Sequence, residues 1–150
     1  MSQQIPTLIE AVQPVKMIAP TVVSTANAAT FGAHVNVSAF DSAIVRLQVS
    51  AFGAPCTLSA ILYEQQAMDG DASLVPITGA NFGVISGSAQ EQVFTAGIET
   101  KNYKQYLALR VAVSQNSGVA PTVGICADLI GGKPDNAPVV NNPTFWVTGQ

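Results

Sequence analysis

Charge is what this chain has least of. Six Lys and Arg and nine Asp and Glu amount to 10% of its 150 residues, where soluble domains ordinarily carry about a quarter. A surface so poor in ions must be finished with Ser, Thr, Asn and Gln, or covered by another molecule. The basic residues, Lys16, Arg46, Lys101, Lys104, Arg110 and Lys133, are scattered, and the formal charge is −3. Phosphate binding needs clustered cations, so no nucleic-acid partner is expected. Lys101 and Lys104 flank Tyr103, the one place where basic and aromatic groups meet, and read as a solvated strand entrance.

Chemistry-bearing residues are equally scarce. There is one histidine, His34, which falls on the polar side of the alternating stretch from His34 to Ser38, and a lone histidine is a poor metal site. The acidic residues are dispersed and mostly in turns, whereas an acid–base pair needs two carboxylates held in contrasting surroundings. No Gly-x-Ser-x-Gly elbow is present. Gly131-Gly132-Lys133-Pro134 is no phosphate loop, because Pro134 stands where a metal-binding hydroxyl belongs. Asp69-Gly70-Asp71 lacks the alternating ligands of a calcium loop and reads as a tight turn. No catalysis, metal or cofactor is expected. Cys56 and Cys126 have no metal-like spacing and read as free thiols of a protein made in a reducing compartment, although sequence assigns no pairing.

Targeting signals are missing as well. The opening MSQQIP has no basic region leading into an apolar core, so no secretory signal is read there. Residues 17 to 40 lack Lys, Arg, Asp and Glu, but Pro20, Asn27, His34 and Asn36 exclude a membrane span.

What is abundant is alternation. From Tyr103 to Leu129, Leu107, Leu109, Val111 and Val113 point to one side and Tyr106, Ala108, Arg110 and Ala112 to the other; Val123, Ile125, Ala127 and Leu129 repeat the pattern after a Gly- and Pro-bearing turn. This predicts a β-hairpin, with Asp128 on the side of Arg110 and an ion pair between them in the simplest register. Ala43 to Tyr63 reads as a weaker copy, Arg46-Leu-Gln-Val-Ser50 aligning with Arg110-Val-Ala-Val-Ser114 at a spacing of 64 residues; two such copies make either a repeat or a coincidence between short hairpins. Thr21 to Thr25, Leu74 to Ile77, Phe82 to Ile85 and Gln92 to Thr95 are further short strands, with Pro76 demoting its strand to an edge.

The ends differ from the middle. Residues 1–20 form an N-terminal arm with Pro6, Pro14 and Pro20, in which Ile5, Leu8, Ile9 and Val12 have helical spacing; it is either a short amphipathic helix or an extended apolar arm. Residues 21–134 form the domain. Residues 135–150 form a C-terminal arm ending in Phe145-Trp146-Val147, where the only tryptophan either folds back or anchors into a neighbour. Ile5, Leu8, Ile9, Val12, Phe145 and Trp146 are therefore the candidate docking or oligomer contacts.

About eight short strands, with no sustained helical period, predict an all-β, two-sheet antiparallel β-sandwich with extended terminal arms, a jelly roll ahead of an immunoglobulin-like order.

The turn from Tyr63-Glu64 to Asp69-Gly70, the run Asn102-Tyr103-Lys-Gln-Tyr106-Leu-Ala-Leu-Arg110-Val-Ala-Val, and the ending from Gly132-Lys133-Pro134 to Ala137-Pro138-Val139 resemble small structural proteins of tailed phages. Among these the pattern is most similar to the capsid decoration, or cement, proteins with a jelly-roll fold, over about residues 40 to 140. The resemblance implies a non-enzymatic homotrimer that binds the major capsid protein, sits on the outer capsid surface of the virion after synthesis in the host cytoplasm, and bridges neighbouring capsomers. The Pro-rich arm and the Trp-bearing tail lie outside it. Another phage structural role, at a tail or head-fibre base, and a carbohydrate-binding β-sandwich module are the alternatives; the latter needs an aromatic platform from among Tyr63, Tyr103, Tyr106 and Trp146.

Overall fold

The computed structural model describes residues 12–23, 29–53, 56–114, 122–132 and 145–147. Ten strands are found among them: β1 (Val12–Val23), β2 (Ala29–Phe31), β3 (Val35–Asn36), β4 (Ser42–Val49), β5 (Thr57–Gln65), β6 (Val75–Ser86), β7 (Gln92–Ile98), β8 (Tyr106–Ser114), β9 (Val123–Gly132) and β10 (Phe145–Val147). Single 3₁₀ turns at Asp71–Ser73 and Thr100–Asn102 are the only helical elements described. No helix among the described residues is long and apolar enough to cross a membrane.

The strands form two sheets, β1-β9-β4-β7-β10 and β2-β8-β5-β6, with β3 continuing β2 alongside β8. Pairing is nested. β1 pairs with β9, β2 and β3 with β8, β4 with β7, and β5 with β6, all antiparallel. The chain is thus one long hairpin rolled up so that its successive layers fall into opposite sheets, which is a jelly roll. The expected all-β two-sheet sandwich is what forms.

Alternation then fills the space between the sheets. Val45 and Leu47 of β4, Leu62 of β5, Leu107 and Leu109 of β8 and Leu129 of β9 are fully buried, and they belong to one continuous core. At the β6–β7 side, the Phe82 and Phe94 rings meet edge to face at 6.4 Å and 73°, a geometry favoured by the ring quadrupoles. Proline sits where the ladder can spare a donor: Pro14 and Pro20 on β1 and Pro76 on β6, both at sheet edges. β6 also takes up Gly79 and Gly83 at φ 80° and 71°, in the stretch where its register with β5 shifts, a backbone region that side chains with a Cβ resist.

Two expectations are corrected. Neither Ala43 to Tyr63 nor Tyr103 to Leu129 is a hairpin. β4 and β5 lie in different sheets, as do β8 and β9, so each unit is an arch across the sandwich. The two arches pair with each other instead, β4 with β9 and β5 with β8. Arg110 therefore does not meet Asp128. Its Cα partners are Ile61 and Phe31 in the other sheet, while Asp128 faces Arg46. Alternation reports which residues point inward and says nothing about which sheet a strand joins.

The strand read at Thr21 to Thr25 begins much earlier, at Val12, so the arm boundary drawn at residue 20 falls inside β1. The C-terminal stretch likewise contributes β10, in parallel with β7.

Candidate interaction surface

Residues that are Cα partners across a ladder share a face, so register maps the outside of the β1-β9-β4-β7-β10 sheet row by row. The row nearest the start of β1 includes Ile130, Ile44 and Gly97. Ile44 is 3% exposed although it lies on the opposite side of β4 from the core residues Val45 and Leu47. The next row reads Lys16, Asp128, Arg46, Thr95, a band in which one carboxylate stands between two cations. Arg46 Nη2 lies 3.6 Å from Asp128 Oδ2.

Beyond the charged band the face becomes a trough. Cys126, Gln48 and Val93 form one row and Val22 pairs with Gly124 in another. Together with Pro20, Ser50 and Glu91 they enclose a concavity of about 410 Å³. Its two walls stand on the outer strands: Val22 on β1 is 61% exposed and Val93 on β7 is 58% exposed. Gly124, without a side chain, lowers the floor between them.

The floor is already satisfied internally. Cys126 Sγ donates to Gln48 Oε1 at 2.9 Å. Ser50 Oγ accepts from the Gly124 N–H at 2.8 Å and donates to Ala51 O at 3.3 Å. Glu91 is the one charged residue in the lining. The trough consequently offers apolar walls, a floor with its polar groups largely spoken for, and a single carboxylate at the rim. Such a surface suits an apolar polypeptide segment of low charge better than a small polar ligand.

A second cluster lies on the outside of the other sheet, where the loop after β5 folds over the start of β3. Asp71 Oδ1 is 2.7 Å from His34 Nε2, Gln65 Nε2 is 2.5 Å from His34 Nδ1, and Ser73 Oγ donates to Gln65 Oε1 at 2.8 Å. With Gln65 donating to Nδ1, the imidazole carries its hydrogen on Nε2 and donates to Asp71. Gln65 is 1% exposed, so this chain of bonds is how a buried amide is kept paired. The cluster is a clasp: Gln65 separates Ser73 from His34, which excludes a serine–histidine relay. No three His, Cys, Asp or Glu among the described residues lie close enough together to hold a metal.

Of the six sequence-derived contacts, Val12, Phe145 and Trp146 fall on described strands. Val12 begins β1 opposite Gly132. Phe145 and Trp146 lie on β10, opposite Ala96 and Gly97 at the far edge of the same sheet. Ile5, Leu8 and Ile9 fall outside the described residues. The trough residues Val22, Gln48, Val93 and Cys126 were not legible as a group, because four strands distant in sequence bring them together. The one available signal was Val22 and Val93 at the rims of weak strand patterns. Neither cysteine is in a disulfide; Cys56 is buried and Cys126 half-buried.

No family model matches the chain, and no curated protein matches it in sequence. Solved structures do. A chain in the structure of infectious bursal disease virus, Gx strain, superposes with a TM-score of 0.54 at 18% identity, over 89% of this chain and 33% of that one. A chain in the structure of the Gt strain does so with a TM-score of 0.50 at 15% identity, over 81% of this chain and 33% of that one. The fold is shared with chains of a virus. At these identities the likeness is one of architecture, and this chain spans about a third of the length of these two chains.

Proposed function

We propose that the chain is a structural protein of a phage virion: a capsid decoration, or cement, protein that associates with itself as a trimer on the outer capsid surface and bridges neighbouring capsomers of the major capsid protein. The observation that carries this is the nested strand order, a two-sheet roll of the kind found in chains of virus structures. The outer face of the β1 sheet supports it, with exposed apolar walls over an internally bonded floor in a chain that is only 10% charged. A cement protein meets a repeating shell at many points, so modest contacts per copy multiply when an oligomer engages several together. The role is non-enzymatic and needs no cofactor.

The test is co-sedimentation of the purified chain with shells assembled from the major capsid protein, paired with sedimentation velocity of the chain alone. Binding that saturates at a fixed ratio to capsomers and raises the temperature of shell disruption is expected. A chain that stays in the supernatant at micromolar concentration would remove the proposal.

One observation favours a second reading. Tyr63 pairs with Ala108, two residues from Tyr106 on the same side of β8, so two tyrosines sit diagonally on the outside of the second sheet. That is a small aromatic platform of the sort a carbohydrate-binding module uses, and a glycan array decides between the two.

A further inference from the structure

We infer that the trough on the β1 sheet is filled by the apolar N-terminal segment of a second copy of this chain, with Ile5, Leu8 and Ile9 packed between Val22 and Val93. The inference rests on the self-association part of the reading above and is independent of the capsid.

Reach decides which copy supplies the segment. β9 is the ruler, since Val12 stands opposite Gly132 and Val22 opposite Gly124. Strands rise about 3.3 Å per residue. The trough therefore begins about 20 Å from Val12, at the level of Cys126, and extends to about 26 Å, at the level of Gly124. An extended chain covers at most about 3.6 Å per residue. Counting back from Val12, Ile9 lies within about 11 Å and Leu8 within about 14 Å of it. Neither reaches its own trough. Ile5, within about 25 Å, reaches the near rim only if the chain reverses at once before Val12 and runs back almost fully extended.

The chemistry fits the same occupant. Glu10 is the one charged residue in positions 1 to 11, and the trough presents apolar walls and a floor whose Gln48, Cys126, Ser50 and Gly124 groups bond to one another or to the adjacent backbone. A segment with Ile5, Leu8 and Ile9 brings apolar surface without charges that would need partners there. Exchange of such a segment between copies links them without any new folded element.

Cys126, half-buried in the trough floor, is a built-in reporter. In the full-length Leu8→Cys protein, mild oxidation should produce covalent species of two and three times the monomer mass on a non-reducing gel, and Leu8→Cys with Cys126→Ser should not. Independently, Val22→Asp with Val93→Asp, at two exposed positions, should shift the sedimenting species to smaller mass with an unchanged melting temperature. An oligomer that forms no Cys126-dependent link, or whose link closes within one chain, overturns the segment exchange and leaves self-association standing. A monomer at micromolar concentration overturns both.

Discussion

Arg46 and Asp128 face each other across β4 and β9, guanidinium to carboxylate at 3.6 Å, with Lys16 in register on the other side of the same aspartate. Both side chains of the pair are partly exposed, at 44% and 25%, so water screens them. Arg46→Met should lower stability by less than about 1 kcal/mol, measured as the urea midpoint, and added salt should shrink the difference. A loss several times larger would mean the pair is covered in the assembled protein.

The core answers differently. Leu109 and Leu129 are fully buried on facing sheets, and truncating such a side chain removes its transfer energy and leaves a cavity. Leu109→Ala should cost about 2–5 kcal/mol, read from equilibrium unfolding. A cost below about 1 kcal/mol would contradict the packing between the sheets.

The clasp over β3 should behave as a unit. His34→Ala strips the partner from the Gln65 amide, which is 1% exposed, and should cost about 1–3 kcal/mol with faster amide exchange in residues 66 to 74. Adding Gln65→Leu removes the orphaned group and should recover part of the loss. No recovery would show that the amide finds another partner.

Tyr103 contributes to the loss of stability at alkaline pH. Burial, then the Glu64 and Glu99 carboxylates, raise its phenol above the ordinary 10.0. The folded state therefore holds this proton more tightly than the unfolded chain does. Its contribution is fully present below pH 10 and is lost as pH rises from there through the raised value. Stability should fall above pH 10, and Tyr103→Phe should flatten that fall; an identical alkaline slope in the variant would assign the loss elsewhere.

The thiols should separate by rate. Cys126 lies half-buried on the trough floor, whereas Cys56 is 1% exposed. A thiol reagent should titrate one group readily in the native protein and the second only on unfolding.

The inward positions of β4, β5, β8 and β9 were legible because a period of two is a property of the strand itself. Leu107, Leu109, Val111 and Val113 face the core as their alternation requires. The edge position of β6 was legible in Pro76, since a missing N–H is tolerated only where no ladder needs it. The partners were not. An arch and a hairpin have the same alternation and the same Gly- and Pro-bearing connection, so Arg110 was matched to Asp128 when Arg46 holds that place. The trough escaped for the same reason: Val22, Gln48, Val93 and Cys126 are unremarkable singly and form a surface only once β1, β9, β4 and β7 lie side by side.

By itself, then, the sequence determined that this is a strand-built protein with a leucine- and valine-rich interior and few ions, since those are matters of composition and local period. Only the tertiary structure decided that the chain rolls into nested pairs, that its two arches cross between sheets and grip each other, and that four strands distant in sequence make a trough. Hydrogen-bond register between distant segments chooses those arrangements, and register is written in no single stretch of the chain.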